Sequence, residues 1–177
     1  MLMAFLWVQL VLGLSFVIAS NATQLPNPDV EQKTGRPQTL ICPPGFFLLG
    51  RSCYAIKEEE YLTWDESQSY CGALAPGGRL IEIETAEEFY LITTHLRENH
   101  GLNFGYWLGA EEREASNYFQ WASTKWPLLF YNWEYDQPSD SGSDNAIVVR
   151  FSHDWQWIDT VKYAVVYPIC EAAPTEV

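Results

Sequence analysis

The sequence predicts an α+β domain in which two helices come first and an antiparallel sheet follows. Three observations carry that reading. Two helix-start signals, Thr63-Trp64-Asp65-Glu66 and Thr85-Ala86-Glu87-Glu88, lie close together in the first half. After Gly101 the helical spacing gives way to short apolar and aromatic segments. Among them, residues 124–143 hold Pro127 and Pro138, many aromatics and little periodicity. Helices segregated from strands along a chain are the mark of an α+β fold. A long irregular loop inside a compact domain is usually functional.

The elements follow in order. Residues 1–20 carry no charged side chain, and an apolar run from Met3 to Val17 is followed by the small residues Ala19, Ser20 and Ala22. This is the pattern of a secretory signal peptide, with cleavage after Ala19 or Ala22 both satisfying the small-residue rule. The run is short for a membrane span, and no later run approaches that length. The expectation is a secreted, extracellular protein with no membrane span in its mature chain. Asn21-Ala22-Thr23 is a glycosylation sequon that survives only if cleavage precedes Asn21. Residues 21–41, with Pro26, Pro28, Gly35 and Pro37 among polar neighbours, read as a flexible linker. Residues 172–177 read as a short tail.

Residues 46–49 and 52–56 flank Gly50-Arg51 and read as a hairpin. The first capping box begins a helix in which Trp64, Gln68, Cys71 and Leu74 recur at helical spacing before Gly77-Gly78. Residues 80–83 make a short strand. The second box begins a helix with Phe89, Ile92 and Leu96 on its inner face, ending at Asn99-His100-Gly101. Later strands are expected at residues 106–110, 118–121, 146–151, 154–157 and 163–170.

Ten basic residues against 23 acidic ones leave a formal charge of −13. Such a surface repels nucleic acid and anionic membranes. Catalysis finds no support. His95 and His100 are five apart, out of phase for a helical metal pair, and no His-Glu-x-x-His or Gly-x-Ser-x-Gly motif occurs. Four cysteines in a secreted chain imply disulfides, with three pairings open.

Cys42 and Cys53, Cys71 in the first helix and Cys170 in Tyr167-Pro168-Ile169-Cys170-Glu171 stand in a distinctive order. Trp107-Leu108-Gly109, Gln137-Pro138-Ser139 and Trp157-Ile158-Asp159 fall between the last two. In this the chain resembles the C-type lectin-like domain family, in the form with an extra N-terminal cystine. The resemblance spans residues 42–171 and implies a C-type lectin-like fold. It also implies the pairings Cys42–Cys53 and Cys71–Cys170. The second would close a loop of about 100 residues, for which chain entropy suggests ~4–5 kcal/mol.

The family binds calcium through the long loop, typically around a cis-proline, and the same side chains hold two sugar hydroxyls. The matching positions here are Gln137, Ser139, Asp144, Ile158 and Asp159. Gln137, Ser139, Asp144 and Asp159 are thus the candidate sugar-binding residues, and Gln137, Asp144 and Asp159 the candidate metal ligands. Ser139 offers only a weak hydroxyl, and Ile158 no oxygen, where the family has Asn. Calcium wants six to eight oxygens. It is the one cofactor the resemblance offers, and the depleted set favours a loop that keeps the family's shape without it. Trp107, Trp133 and Trp157 match core positions. Trp126, Phe130, Tyr131 and Tyr135 could stack on a sugar, though packing is the expected use of each. The family's further cystine is missing, because its positions hold Ala146 and Lys162. The resemblance therefore implies a carbohydrate-recognition protein with a degenerate calcium-dependent site, whose partner is a glycan on a microbial or host surface. The alternative is a calcium-independent lectin-like domain that binds a protein or another non-sugar ligand.

Overall fold

The computed structural model of the protein describes residues 39–100, 105–139 and 144–177. The signal peptide, the Asn21 sequon, most of the expected linker and residues 140–143 lie outside them. In chain order the elements are β1 (Leu40–Ile41), β2 (Phe47–Leu49), β3 (Ser52–Ile56), α1 (Trp64–Leu74), β4 (Arg79–Leu80) and α2 (Ala86–Asn99). Then come β5 (Gly105–Glu112), β6 (Phe119–Trp121), β7 (Asn145–Arg150), a 3₁₀ turn (Phe151–His153), β8 (Gln156–Val161), β9 (Tyr167–Ala172) and β10 (Thr175–Glu176).

The main sheet runs β2-β3-β9-β5-β7-β8, with β4 also on β9 and β6 on β5. One joint is parallel: β5 meets β9 through Tyr106↔Tyr167 and Trp107↔Pro168. The sheet is therefore mixed, where the sequence pattern suggested antiparallel pairing throughout. Leu40–Ile41 pairs with Thr175–Glu176. The ends assigned to linker and tail thus close on each other as a two-stranded ribbon, so the ordered unit reaches past residues 42 and 171.

Both helices start where the capping signals place them. At α1 the box is complete: the Glu66 amide donates to the Thr63 hydroxyl oxygen, and the Thr63 amide donates to the Glu66 carboxylate. At α2 only one arm forms. The Glu88 amide donates to Thr85 Oγ1, but the Glu88 carboxylate accepts from the Glu84 amide and the Tyr54 hydroxyl instead. The α1 and β5 tryptophans bury their rings and still satisfy their indoles. Trp64 Nε1 donates to the Leu108 carbonyl and Trp107 Nε1 to the Leu62 carbonyl, each at 2.9 Å. Gly109 lets β5 approach this layer, since a Cβ there would lie 2.7 Å from the Leu80 carbonyl oxygen.

Two apolar clusters result. One joins α2, the inner sheet face and the long loop through Ile92, Leu96, Tyr106, Ile147, Val149 and Trp157. The other lies beneath α1 and holds Trp64, Cys71, Trp107, Ala146, Val148 and Cys170. The disulfides are Cys42–Cys53 and Cys71–Cys170, the pairings the resemblance implies.

Two strand expectations need correction. Residues 161–164 form a turn, with the Ala164 amide bonded to the Val161 carbonyl, Val166 makes an isolated antiparallel bridge with Leu62, and β9 starts only at Tyr167. β7 pairs with β8 along its length, from Asn145↔Val161 to Arg150↔Gln156. Asp154 and Trp155 adopt left-handed backbone angles, so β8 starts at Gln156 and carries Ile158 and Asp159 within it.

Candidate functional site

The long loop runs along the free edge of β8. The Trp157 amide donates to the Asn132 carbonyl, and the Glu134 amide to the Trp157 carbonyl. Phe130 and Trp133 pack edge-on against Trp157 and anchor the loop's apolar side. That anchoring brings the Gln137-Pro138 peptide, which is cis, beside Asp159.

Three of the four candidate residues meet there. The Ser139 amide and hydroxyl both donate to Asp159 Oδ1, at 2.6 and 2.9 Å. The Asp159 amide donates to Gln137 Oε1 at 3.3 Å. Asp159 itself is only 6% exposed. Its second oxygen, Oδ2, accepts from Asn145 Nδ2 at 2.7 Å. Asn145 in turn donates its amide to Glu112 Oε2, and Glu112 Oε1 accepts from the Asn117 amide. A buried polar chain therefore links the turn after β5 to the long loop through two carboxylates.

Asp144 does not join this group. Its carboxylate lies 3.0 Å from Lys162 Nζ, which also binds Glu111 at 2.9 Å. Glu111 takes a second ammonium from Lys125 at 2.5 Å, and Lys162 Nζ sits 4.6 Å above the Trp64 ring. Burial works to lower the Lys162 pKa, but Glu111 and Asp144 outweigh it and hold the ammonium above its ordinary value. Burial likewise pushes Glu111 up, and its two lysines outweigh that and hold it below the usual carboxylate range.

These contacts bear directly on calcium. Both Asp159 oxygens and the Gln137 oxygen already accept protein donors, and Asp144 is drawn to an ammonium. Ile158 alternates to the opposite sheet face from Asp159 and packs with the Ala146 and Val148 cluster. Among the described residues no group of three or more His, Cys, Asp or Glu is arranged to hold a metal. The described residues, with their oxygens engaged in this way, do not fit a calcium ion at this place.

Sequence reasoning missed Glu112 and Asn145. Both had a signal: Glu111-Glu112 directly extends an apolar strand, and Asn145 adjoins a candidate ligand. Of the four aromatics considered for stacking, only Phe130 packs inward, while Trp126, Tyr131 and Tyr135 are exposed. Tyr118 and Leu129 are exposed as well, so five large side chains between residues 118 and 135 face outward.

The family model described as "Lectin C-type domain" matches residues 60–172, more than half of the chain. This chain belongs to the C-type lectin domain family. Among curated relatives it is 32% identical over 119 residues to the mouse (Mus musculus) protein "C-type lectin domain family 4 member G", covering 64% of this chain and 37% of that one. It is 32% identical over 111 residues to mouse "C-type mannose receptor 2", covering 60% of this chain but only 7% of the receptor. The chain thus spans well under half the length of these relatives. Among solved structures, the mouse scavenger receptor C-type lectin carbohydrate-recognition domain superposes with a TM-score of 0.65 and 23% identity, over 77% of this chain and 99% of that one. A calcium-independent type II antifreeze protein does so with a TM-score of 0.65 and 25% identity, over 77% of this chain and 98% of that one. Both superpositions bear out the C-type lectin-like α+β fold.

Proposed function

We propose that this chain is an extracellular, non-catalytic recognition domain that binds its ligand without calcium, and that the ligand is a protein surface. The observation that carries the reading is the Asp159 carboxylate, which spends both oxygens on Ser139 and Asn145. A family sugar site needs those oxygens for the ion and for hydroxyls. What supports a protein ligand is the outward-facing set Tyr118, Trp126, Leu129, Tyr131 and Tyr135. Aromatic rings are enriched at protein interfaces. Secretion would follow from the signal-like segment of residues 1–20, and the two disulfides suit an oxidising compartment.

A second reading keeps the family's glycan ligand and has it stack on Trp126 or Tyr135, which are 70% and 87% exposed. Thermal melts with calcium and with a chelator test the main reading. No shift is expected, whereas ion at a hundredfold excess over Kd would stabilise the fold by about 2.7 kcal/mol. A calcium-induced rise that Asp159→Ala abolishes would sink it. Glycan-array binding in chelator that Trp126→Ala removes would replace the protein ligand with the glycan.

A further inference from the structure

A groove of about 420 Å³ lies on the opposite face of β7–β8 from Asp159. Val148, Ile158 and Val166 supply apolar lining. The Tyr61 and Tyr167 rings, 5.0 Å apart, contribute aromatic surface. Arg150 also lines it, two residues along β7 from Val148 and therefore on the same strand face. The volume falls within the ~300–1,000 Å³ of small-molecule sites, and an apolar lining with few polar groups is their usual make-up.

Arg150 is what gives the groove a chemical preference. Among the described residues its side chain has no ion-pair or hydrogen-bond partner. The chain holds 23 acidic residues against ten basic ones, so a cation without an acid beside it is unusual here. Guanidinium matches a carboxylate with two parallel hydrogen bonds. The apolar character comes partly from departures already noted. Ile158 stands where the family has Asn, and Ala146, in place of a cystine half, belongs to the same outer cluster as Val148 and Val166.

We propose that this groove binds an apolar monocarboxylate of the fatty-acid type, its hydrocarbon on Val148, Ile158 and Val166 and its carboxylate on Arg150. The inference is independent of the calcium reading, because no residue of the Asp159 group lines the groove.

Isothermal titration of the full chain with dodecanoate, dodecanol and dodecyltrimethylammonium, the two ions kept below their micelle concentrations and the alcohol below its solubility limit, tests it. Dodecanoate should bind once per chain and at least about tenfold tighter than the other two, as expected for a hydrogen-bonded charge pair. Arg150→Gln should erase that preference, and Arg150→Lys should keep part of it. Ile158→Asn should weaken all three, with melts confirming that each variant is folded. Absence of dodecanoate binding, equal binding of anion and cation, or an unchanged dodecanoate affinity in Arg150→Gln would overturn the proposal. A peptide ending in a free apolar carboxylate that binds more tightly than dodecanoate would overturn the lipid assignment in favour of a protein C-terminus.

Discussion

The two ends of this domain are held together by different physics. Around α1 and β9 the hold is covalent and apolar. Cys71–Cys170 ties the helix to the strand, and Trp64 and Trp107 lock their indoles onto facing carbonyls. Around β8 and the long loop it is polar. Asp159, Glu112 and Asn145 form a buried hydrogen-bonded chain, and Lys162 bridges two acids where the family carries half a cystine. The Gln137-Pro138 peptide is cis, and positions 146 and 162 hold Ala and Lys with no cystine between them. Internal donors do at Asp159 what an ion would otherwise do, which is to satisfy a buried carboxylate.

The sharpest way to break the comparison is to remove the covalent hold. Cys71→Ala with Cys170→Ala frees a loop whose ends are 99 residues apart. Denaturant unfolding should show a loss of ~4–5 kcal/mol on the chain-entropy account. A loss below about 1 kcal/mol would mean that apolar packing, and not the crosslink, holds the frame.

The polar end should answer to a smaller and more specific change. Asp159→Asn keeps one oxygen for Ser139 but turns an amide toward Asn145 Nδ2, donor against donor. Leaving a buried donor unpaired costs about 1–3 kcal/mol. The loss should be the same with and without calcium. A loss seen only in calcium would mean that the carboxylate serves an ion.

The contrast between the ends also explains what the sequence could disclose. Helix starts were legible because Thr63–Glu66 and Thr85–Glu88 are local devices, decided within four residues. Disulfides and core tryptophans were legible through family spacing. The destination of Asp144 was not, because it depends on Lys162 and Glu111, distant in sequence and brought together only by the β7–β8 register. The half-formed box at α2 is in part of the same kind: Tyr54, from β3, takes one Glu88 oxygen, while the nearby Glu84 amide takes the other. Alternation assigns Ile158 and Asp159 to opposite faces only once β8 is known to run unbroken through both.

A third test separates polar groups within the covalent end. Arg79 lies between Glu82 and Glu171, at 3.5 and 3.2 Å, and Tyr54 and Glu88 are packed nearby. Burial pushes Glu171 up to about 7. Arg79 pulls against that, Glu88 adds to it, and the Glu82 amide and Ser52 pull against it. Glu88 is also raised, again by burial first. A carboxyl whose folded pKa exceeds its unfolded one stabilises the fold fully below the unfolded value, and that stability is lost as pH rises through the folded value. Stability should therefore fall by about 1–3 kcal/mol between pH 5 and 8. Glu171→Gln should flatten the curve. His95, lowered by burial and then by His100, runs the other way below neutrality, so the two proteins must be compared at each pH. A parallel pair of curves would remove Glu171 from the account.

The smallest expected effect comes from making the two ends alike. Ala146→Cys with Lys162→Cys restores the family's crosslink. It would close a loop of about 15 residues, nominally ~3 kcal/mol. The same change deletes the Lys162 ammonium, whose side chain is only 14% exposed and whose hydrogen bond to Glu111 is partly buried. Hydrogen bonds to charged groups contribute about 1.5–3 kcal/mol, so the two changes nearly cancel. The register adds a constraint: Ala146 lies opposite Thr160, which puts Lys162 one diagonal step away. Diagonal neighbours sit near the ~7 Å Cα limit for a disulfide. The expected outcome is that thiol titration after mild oxidation finds no free cysteine while the melting temperature barely moves. Lys162→Met alone should lower it. If the double variant instead melts many degrees higher, the Lys162 cluster contributes little and the polar end is held by Asp159 and its donors alone.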